Sequence, residues 1–285
     1  MKHLSTAAAE RLTLGLTLGL VALAALAPAT HLPAHYHHFA DQRALGGLPF
    51  AMDVLTNLPF ALAGAWGLAW LRRATGLAQP QRMLAALFFA GLVLTALCSG
   101  IYHLHPENAG LALDRAGMAV AFAGVVGLAA ADRVSGRAGL ALAALLLALG
   151  PLAAVWDWRT GNMTPWAVLQ AGGALLLALL ALRRPHSPFS PFSPDAKAHA
   201  GALGFSTLGV LGIYALAKAL EMGDHAVFHA LHGVISGHSL KHVAAAAAAW
   251  PVLAALKRLH GRGRHTDTIR ALQIHAFNPP ELQKR

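Results

Sequence analysis

Residues 236–250 read SGHSLKHVAAAAAAW. The second half is an unbroken apolar run, while the first half carries His238, Lys241 and His242. The pattern is that of a membrane-spanning helix with ionisable groups in its first turns. The rest of the chain supports this reading. Of 285 residues, 56% are hydrophobic and 12% charged. That charged share is about half of the ~25% usual in soluble domains. Apolar runs near the ~20 residues needed to cross a bilayer recur along the whole length. The single cysteine, Cys98, excludes an intrachain disulfide and a cysteine-based metal site.

Eight spans are predicted, at roughly 12–29, 52–71, 83–103, 111–131, 138–156, 165–182, 201–220 and 229–256. The first follows Lys2 and Arg11 and is trailed by APA at 27–29, which gives it some likeness to a signal peptide. A retained helix fits the charge pattern better. With the N-terminus inside, the inner segments hold Lys2 and Arg11, then Arg72, Arg73 and Arg82, then Arg133 and Arg137. They also hold Arg183, Arg184 and Lys197, and the basic residues from Lys257 onward. Together these are 17 of the 22 Lys and Arg. Arg43, Arg115, Arg159, Lys218 and Lys241 fall on the outer side. Basic residues accumulate in cytoplasmic loops, so both termini are predicted to be cytoplasmic. The net charge of +10 is thereby explained without a nucleic-acid partner. PHSPFSPFSPD at 185–195 reads as a linker. The tail 257–285 is expected to lie against anionic lipid headgroups.

A charged group at the bilayer centre costs roughly 2.5–3.5 kcal/mol on insertion scales, so polar residues inside spans need partners. In this topology they gather at one depth. CSGIYHLH ends the third span with Ser99 and His103 one turn apart. LALDRAGM opens the fourth with Asp114. His238 and His242 lie one turn apart early in the eighth. Three imidazoles make a zinc set that leaves a fourth position for water. Zinc lowers the pKa of that water toward about 7. Asp114 is then suited to move a proton or orient the water, and Ser99 to donate a hydrogen bond to a ligand or an oxyanion. Each element alone also has a plainer reading: an interhelical histidine hydrogen bond, or a small packing serine. Other polar features carry their own expectations. Lys218 and Glu221 are spaced to pair, and Lys241 is expected to find Glu221 or Asp224. His225 and His229 form a rival histidine pair. HYHH at 35–38 is expected to be solvated, and Asn57 to hydrogen-bond near the site. Asp157, Trp158 and Arg159 read as an interfacial loop.

The order Ser99-x-x-x-His103, Asp114, His238-x-x-x-His242 resembles the membrane hydrolase superfamily of alkaline ceramidases and progestin/adiponectin receptors, known as CREST. SGHSLKHVAAA is similar to the last helix of its bacterial ceramidase-like branch. FADQR at 39–43, DVLTNLPFALAG at 53–64 and YALAKALEMGD at 214–224 extend the likeness over about residues 35–250. The resemblance implies an all-α membrane fold. Its seven-helix core would occupy 35–256, preceded by an extra helix in 1–34 and followed by the basic tail 257–285. It further implies Zn2+ on His103, His238 and His242, with Ser99 and Asp114 as catalytic neighbours. The implied activity is hydrolysis of the amide bond of a ceramide or other N-acyl lipid. The implied setting is the bacterial inner membrane, with the site near the periplasmic leaflet. The acidic, Trp-containing calcium-binding segment of eukaryotic alkaline ceramidases has no counterpart; only Asp41 and Asp53 fall in that stretch, and no calcium is expected. The other readings are a receptor-like protein with a structural zinc, a haem protein and a cation transporter.

Overall fold

The structure is a computed structural model that describes residues 4–185 and 201–261. The predicted linker after Pro185 and the greater part of the predicted tail lie outside the described residues. The described chain is all-helical, without strands; its only extended pairings are two isolated bridges, Leu45 with Leu48 and Leu77 with Gly201. The helices are α1 (Thr6–Leu26), α2 (Ala51–Leu55), α3 (Leu58–Arg73), α4 (Gln79–Leu104), α5 (Asn108–Arg133), α6 (Gly136–Thr160), α7 (Thr164–Ala181), α8 (Thr207–Met222), α9 (Asp224–Ala230) and α10 (Gly237–Ala246). The last of these continues through a 3-10 turn at Ala247–Ala249 to close a helical stretch of Gly237–Gly261.

Among the described residues, seven stretches are long and apolar enough to cross a membrane: α1, α2 with α3 as Ala51–Arg73, α4, α5, α6, α7 and Gly237–Gly261. The seventh predicted span, 201–220, appears as α8 with 16 residues, about 24 Å at 1.5 Å per residue. Its start moves to Thr207 because the Asp132 carboxylate captures two backbone donors ahead of it, Leu203 N at 2.9 Å and Gly204 N at 2.8 Å. The eighth predicted span, 229–256, is broken. His232 and Gly233 adopt positive φ of 50° and 75°, and Ser236 starts a new helix by accepting a hydrogen bond from Ser239 N at 2.9 Å. Asp157, Trp158 and Arg159 are not a loop but the last full turn of α6. Asp157 is buried there in an ion pair with Arg115 of α5.

The packing at the centre is close because small residues face one another, as suits helices in lipid. A Cβ on Gly91 of α4 would lie 2.3 Å from Ala121 N, and one on Gly124 of α5 would lie 2.4 Å from Phe88 N. The α4 and α5 backbones therefore touch, which fixes the residues each carries at one end of the bundle. At the other end basic side chains are tied to backbone carbonyls. Arg82 donates to Leu71 O at 2.8 Å, Arg133 to Phe205 O at 2.7 Å and Arg183 to Arg133 O at 3.0 Å. Lys257 lies over the rings of Trp66, Trp250 and Trp70 at 4.6, 5.2 and 5.6 Å there.

Candidate metal centre

The end of α4, the start of α5 and the start of α10 meet opposite the basic end. His103, His238 and His242 converge there, all buried, with ligand nitrogens within 4.8 Å of one another. Their ring centroids form a near-equilateral triangle with sides of 4.9, 5.0 and 5.0 Å. His103 Nε2 and His238 Nε2 are 3.3 Å apart. Two zinc ligands at about 2.0–2.1 Å in tetrahedral arrangement stand at much the same separation. Among the described residues this is the one cluster of three such groups able to hold a metal. Of the rival pair, His225 is engaged elsewhere, its Nε2 bonding His38 O at 3.1 Å. His37 of the 35–38 loop, expected to be solvated, instead bridges Tyr102 Oη at 2.8 Å and Asn108 Oδ1 at 2.9 Å.

The surroundings orient one of the three rings, that of His242, as a ligand requires. Thr56, at the break between α2 and α3, donates its hydroxyl proton to Met52 O at 2.7 Å. Its oxygen is left to accept from His242 Nδ1 at 3.0 Å. That bond fixes the tautomer and leaves the Nε2 lone pair of His242 free for a metal. Removing such a partner typically weakens metal binding 10–100-fold. Thr56→Val is therefore expected to lower zinc affinity by roughly that factor in a competition titration, with helix content unchanged; unaltered affinity would deny Thr56 this role.

Several groups close the site from the sides. Gly237 opens α10 where a Cβ would lie 2.3 Å from Leu220 O, so α10 starts in contact with the end of α8. Asp224 clamps two segments: its Oδ1 accepts from His238 N at 2.8 Å and its Oδ2 from Ala40 N at 2.9 Å. The second bond holds Phe39 over the rings of His238 and His103, with centroids at 4.3 and 4.9 Å. In the same loop Arg43 bonds both oxygens of Asp41 at 2.8 and 2.6 Å and reaches Val234 O at 2.9 Å. That guanidinium holds the Asp41 carboxyl below the usual carboxylate range, with burial opposing it.

Ser99 and Asp114 are buried beside the triad, and the Ser99 side chain faces the Asp114 carboxylate. Asp114 Oδ1 has no hydrogen-bond partner. Three further unpartnered buried atoms lie in this region: Asp53 Oδ2, Asn57 Oδ1 and His103 Nδ1. Unpartnered buried polar atoms are rare and mark strain, chemistry or an absent ligand. A cavity of about 180 Å³ runs from Ser99, Asp114, His238 and His242 into the bundle, ending among apolar residues that include Phe88 and Val125. Along α4 it extends from Tyr102 to Phe88, about 21 Å at 1.5 Å per residue.

All five sequence-predicted site residues are thus in one place. The other polar expectations are met in part. Lys241 pairs with Glu221, at 2.7 Å, and not with Asp224; Lys218 bonds the other oxygen of Glu221. Asn57 bonds Asp53 O at 2.8 Å, and Cys98 is buried and free. Sequence reasoning missed Thr56, Asp53 and the Asp224 clamp. Asp53 is fully buried and accepts from Ser239 Oγ at 2.6 Å. The signal for the first two was available: Asp53, Thr56 and Asn57 are polar residues three and four apart in an apolar span, hence on one face. No protein-family model matches the chain, and no curated protein matches it in sequence.

Proposed function

We propose that this chain is a zinc-dependent, ceramidase-like membrane hydrolase that cleaves the amide bond of N-acyl lipids. The observation that carries the reading is the juxtaposition of three convergent buried imidazoles with an unpartnered carboxylate oxygen at the head of an apolar cavity. The donor set fits zinc: neutral nitrogen ligands, three in number, with His242 held in the ligating tautomer by Thr56. A zinc ion bound there supplies an acidified water and a Lewis acid for the amide carbonyl.

The chain's own residues do the rest. Asp114 Oδ1 takes a proton from the attacking water and returns it to the leaving nitrogen, the dual duty of a general acid–base group. Ser99 donates its hydroxyl to the carbonyl oxygen as negative charge develops there. Phe39 covers two of the histidines from the loop side and limits water. The apolar cavity takes the acyl chain. Its length of about 21 Å exceeds half of the ~30 Å hydrocarbon core. In this reading the histidine end faces the periplasmic leaflet and the basic end faces the cytoplasm, as the loop charges favour.

The competing readings have less support. A haem needs room for its macrocycle between axial nitrogens, and the two nearest here are 3.3 Å apart. A cation path needs polar groups at depth, whereas Phe88, Val125, Leu177 and Ala248 line the far part of the cavity. The test is fatty-acid release from N-acyl lipids by detergent-purified protein. Release that stops on chelation and returns with zinc is expected; release indifferent to chelation excludes the metal mechanism.

A further inference from the structure

A second cavity, of about 180 Å³, lies where the start of α5 meets the end of α6 and the loop before α2. Its lining includes the polar residues Asn108 and Asp157 and the exposed residues His31, Trp158 and Gly161. It is therefore a vestibule open to water at the histidine end. Leu111 lines both this vestibule and the chamber that holds Ser99 and Asp114, and among the described residues it is the one common to the two. Two polar bridges also run from one cavity to the other. Asp157 of the vestibule pairs with Arg115 of the chamber. His37 joins Asn108 Oδ1 of the vestibule, at 2.9 Å, to Tyr102 Oη of the chamber, at 2.8 Å. A structural purpose accounts for this wall incompletely. The α5 and α6 helices need no buried ion pair to hold them, since a Cβ on Gly139 would lie 2.5 Å from Gly127 O, and burying such a pair carries a desolvation penalty. Polar groups are hard to bury between two apolar layers and easy to keep where water reaches one side.

We propose that this wall is the water entrance of the chamber, with Leu111 as its movable part, an inference that rests on the hydrolase reading and names the route of its second substrate. Each cleavage consumes one water, whose oxygen ends in the fatty-acid carboxylate and whose two protons end on the released amine as an ammonium. That water has to be replaced at every turnover. The loop side is covered by Phe39 over His238 and His103, and the far part of the chamber is apolar. The vestibule is the polar approach that remains, and it meets the chamber at Arg115, next in sequence to Asp114. The ion pair and the His37 bridge hold the frame, while the Leu111 side chain changes rotamer to let single waters pass between partners on either side.

Two tryptophans serve as reporters, Trp158 in the vestibule and Trp166 in the chamber. The full chain in lipid nanodiscs is mixed with heavy-oxygen water and pulsed with X-rays, so that hydroxyl radicals formed from nearby water hydroxylate the indole rings. Mass spectrometry then reads when the heavy oxygen reaches each ring. Trp158 is expected to take it up at once and Trp166 after a delay. Leu111→Phe, which fills the wall, is expected to lengthen the Trp166 delay about tenfold and to leave Trp158 unchanged. Ala112→Leu is expected to do the same with less strain, because Ala112 lines the vestibule and its added atoms enter that cavity. Leu177→Phe, on the far chamber wall, is expected to change neither reporter. No water-derived hydroxylation of Trp166 in the unaltered protein overturns the entrance. So does a Trp166 delay indifferent to Leu111→Phe and Ala112→Leu, or one lengthened equally by Leu177→Phe. Failure of the hydrolase reading has a separate signature: the zinc-loaded protein releases no fatty acid from N-acyl lipids, whatever the exchange at Trp166.

Discussion

Asp114→Asn protein is expected to retain its metal and its fold and to lose turnover by a factor of roughly 10²–10⁴, the usual contribution of a general acid–base group. The substitution keeps the volume and planar shape of the side chain and removes only its capacity to take a proton. Asp114 is buried near the head of α5 with Oδ1 unpartnered, and no ion pair involves it among the described residues. Losing its charge therefore costs the fold little. The informative comparison is between three readouts on one preparation: zinc content, thermal midpoint and fatty-acid release. Loss of release with the first two intact assigns Asp114 to the chemistry. Release within a few-fold of the unaltered protein would remove Asp114 from the reaction and favour a metal site that serves structure.

The second large effect is expected from a residue far from the chemistry. Gly124 faces Phe88 so closely that an added Cβ would meet backbone, at 2.4 Å from N and 2.5 Å from Cα. Side chains can rotate away from an intruder, but a helix backbone cannot. Gly124→Leu must push α4 and α5 apart, and overpacking of this kind costs typically about 1–3 kcal/mol and occasionally more. The same displacement separates Ser99 and His103 on α4 from Asp114 on α5. The expected outcome is a lowered thermal midpoint, a poor yield of monodisperse protein and turnover lost along with zinc. Gly212→Leu is the control, since a Cβ there meets nothing within 4 Å; it is expected to leave midpoint and zinc content unchanged. Equal tolerance at both positions would mean that the α4–α5 contact is not what sets the site.

These two residues illustrate what the sequence makes legible. Asp114, His103, His238 and His242 stand out because each is a polar residue in an apolar helix, and helical period places the pairs on common faces. Their shared depth follows from chain direction, which alternates from span to span. Gly124 does not stand out, because glycine is common in this chain and only the approach of Phe88 gives this one its importance. The breaks at 201–206 and 231–236 are hidden for a similar reason. Hydropathy continues across both, while the turn is decided by Asp132 capturing the backbone near Leu203 and by the positive φ of His232. Asp224 is visible as an acid near two lysines, yet it clamps Ala40 and His238 instead. That role depends on a loop folding back over some 180 residues, which no local pattern encodes. Thr56 lies between these cases, with a polar spacing readable in DVLTN and a partner that is not.

The hydrolase chemistry and the acyl-chain chamber both depend on the three imidazoles holding a metal, and elemental analysis reads that property without an activity assay. Detergent-purified protein, prepared without chelators, is measured beside His238→Ala. About one zinc per chain is expected in the former and loss of it in the latter, with both chains still helical. No stoichiometric metal in the unaltered protein, or the same content in both, would refute the site.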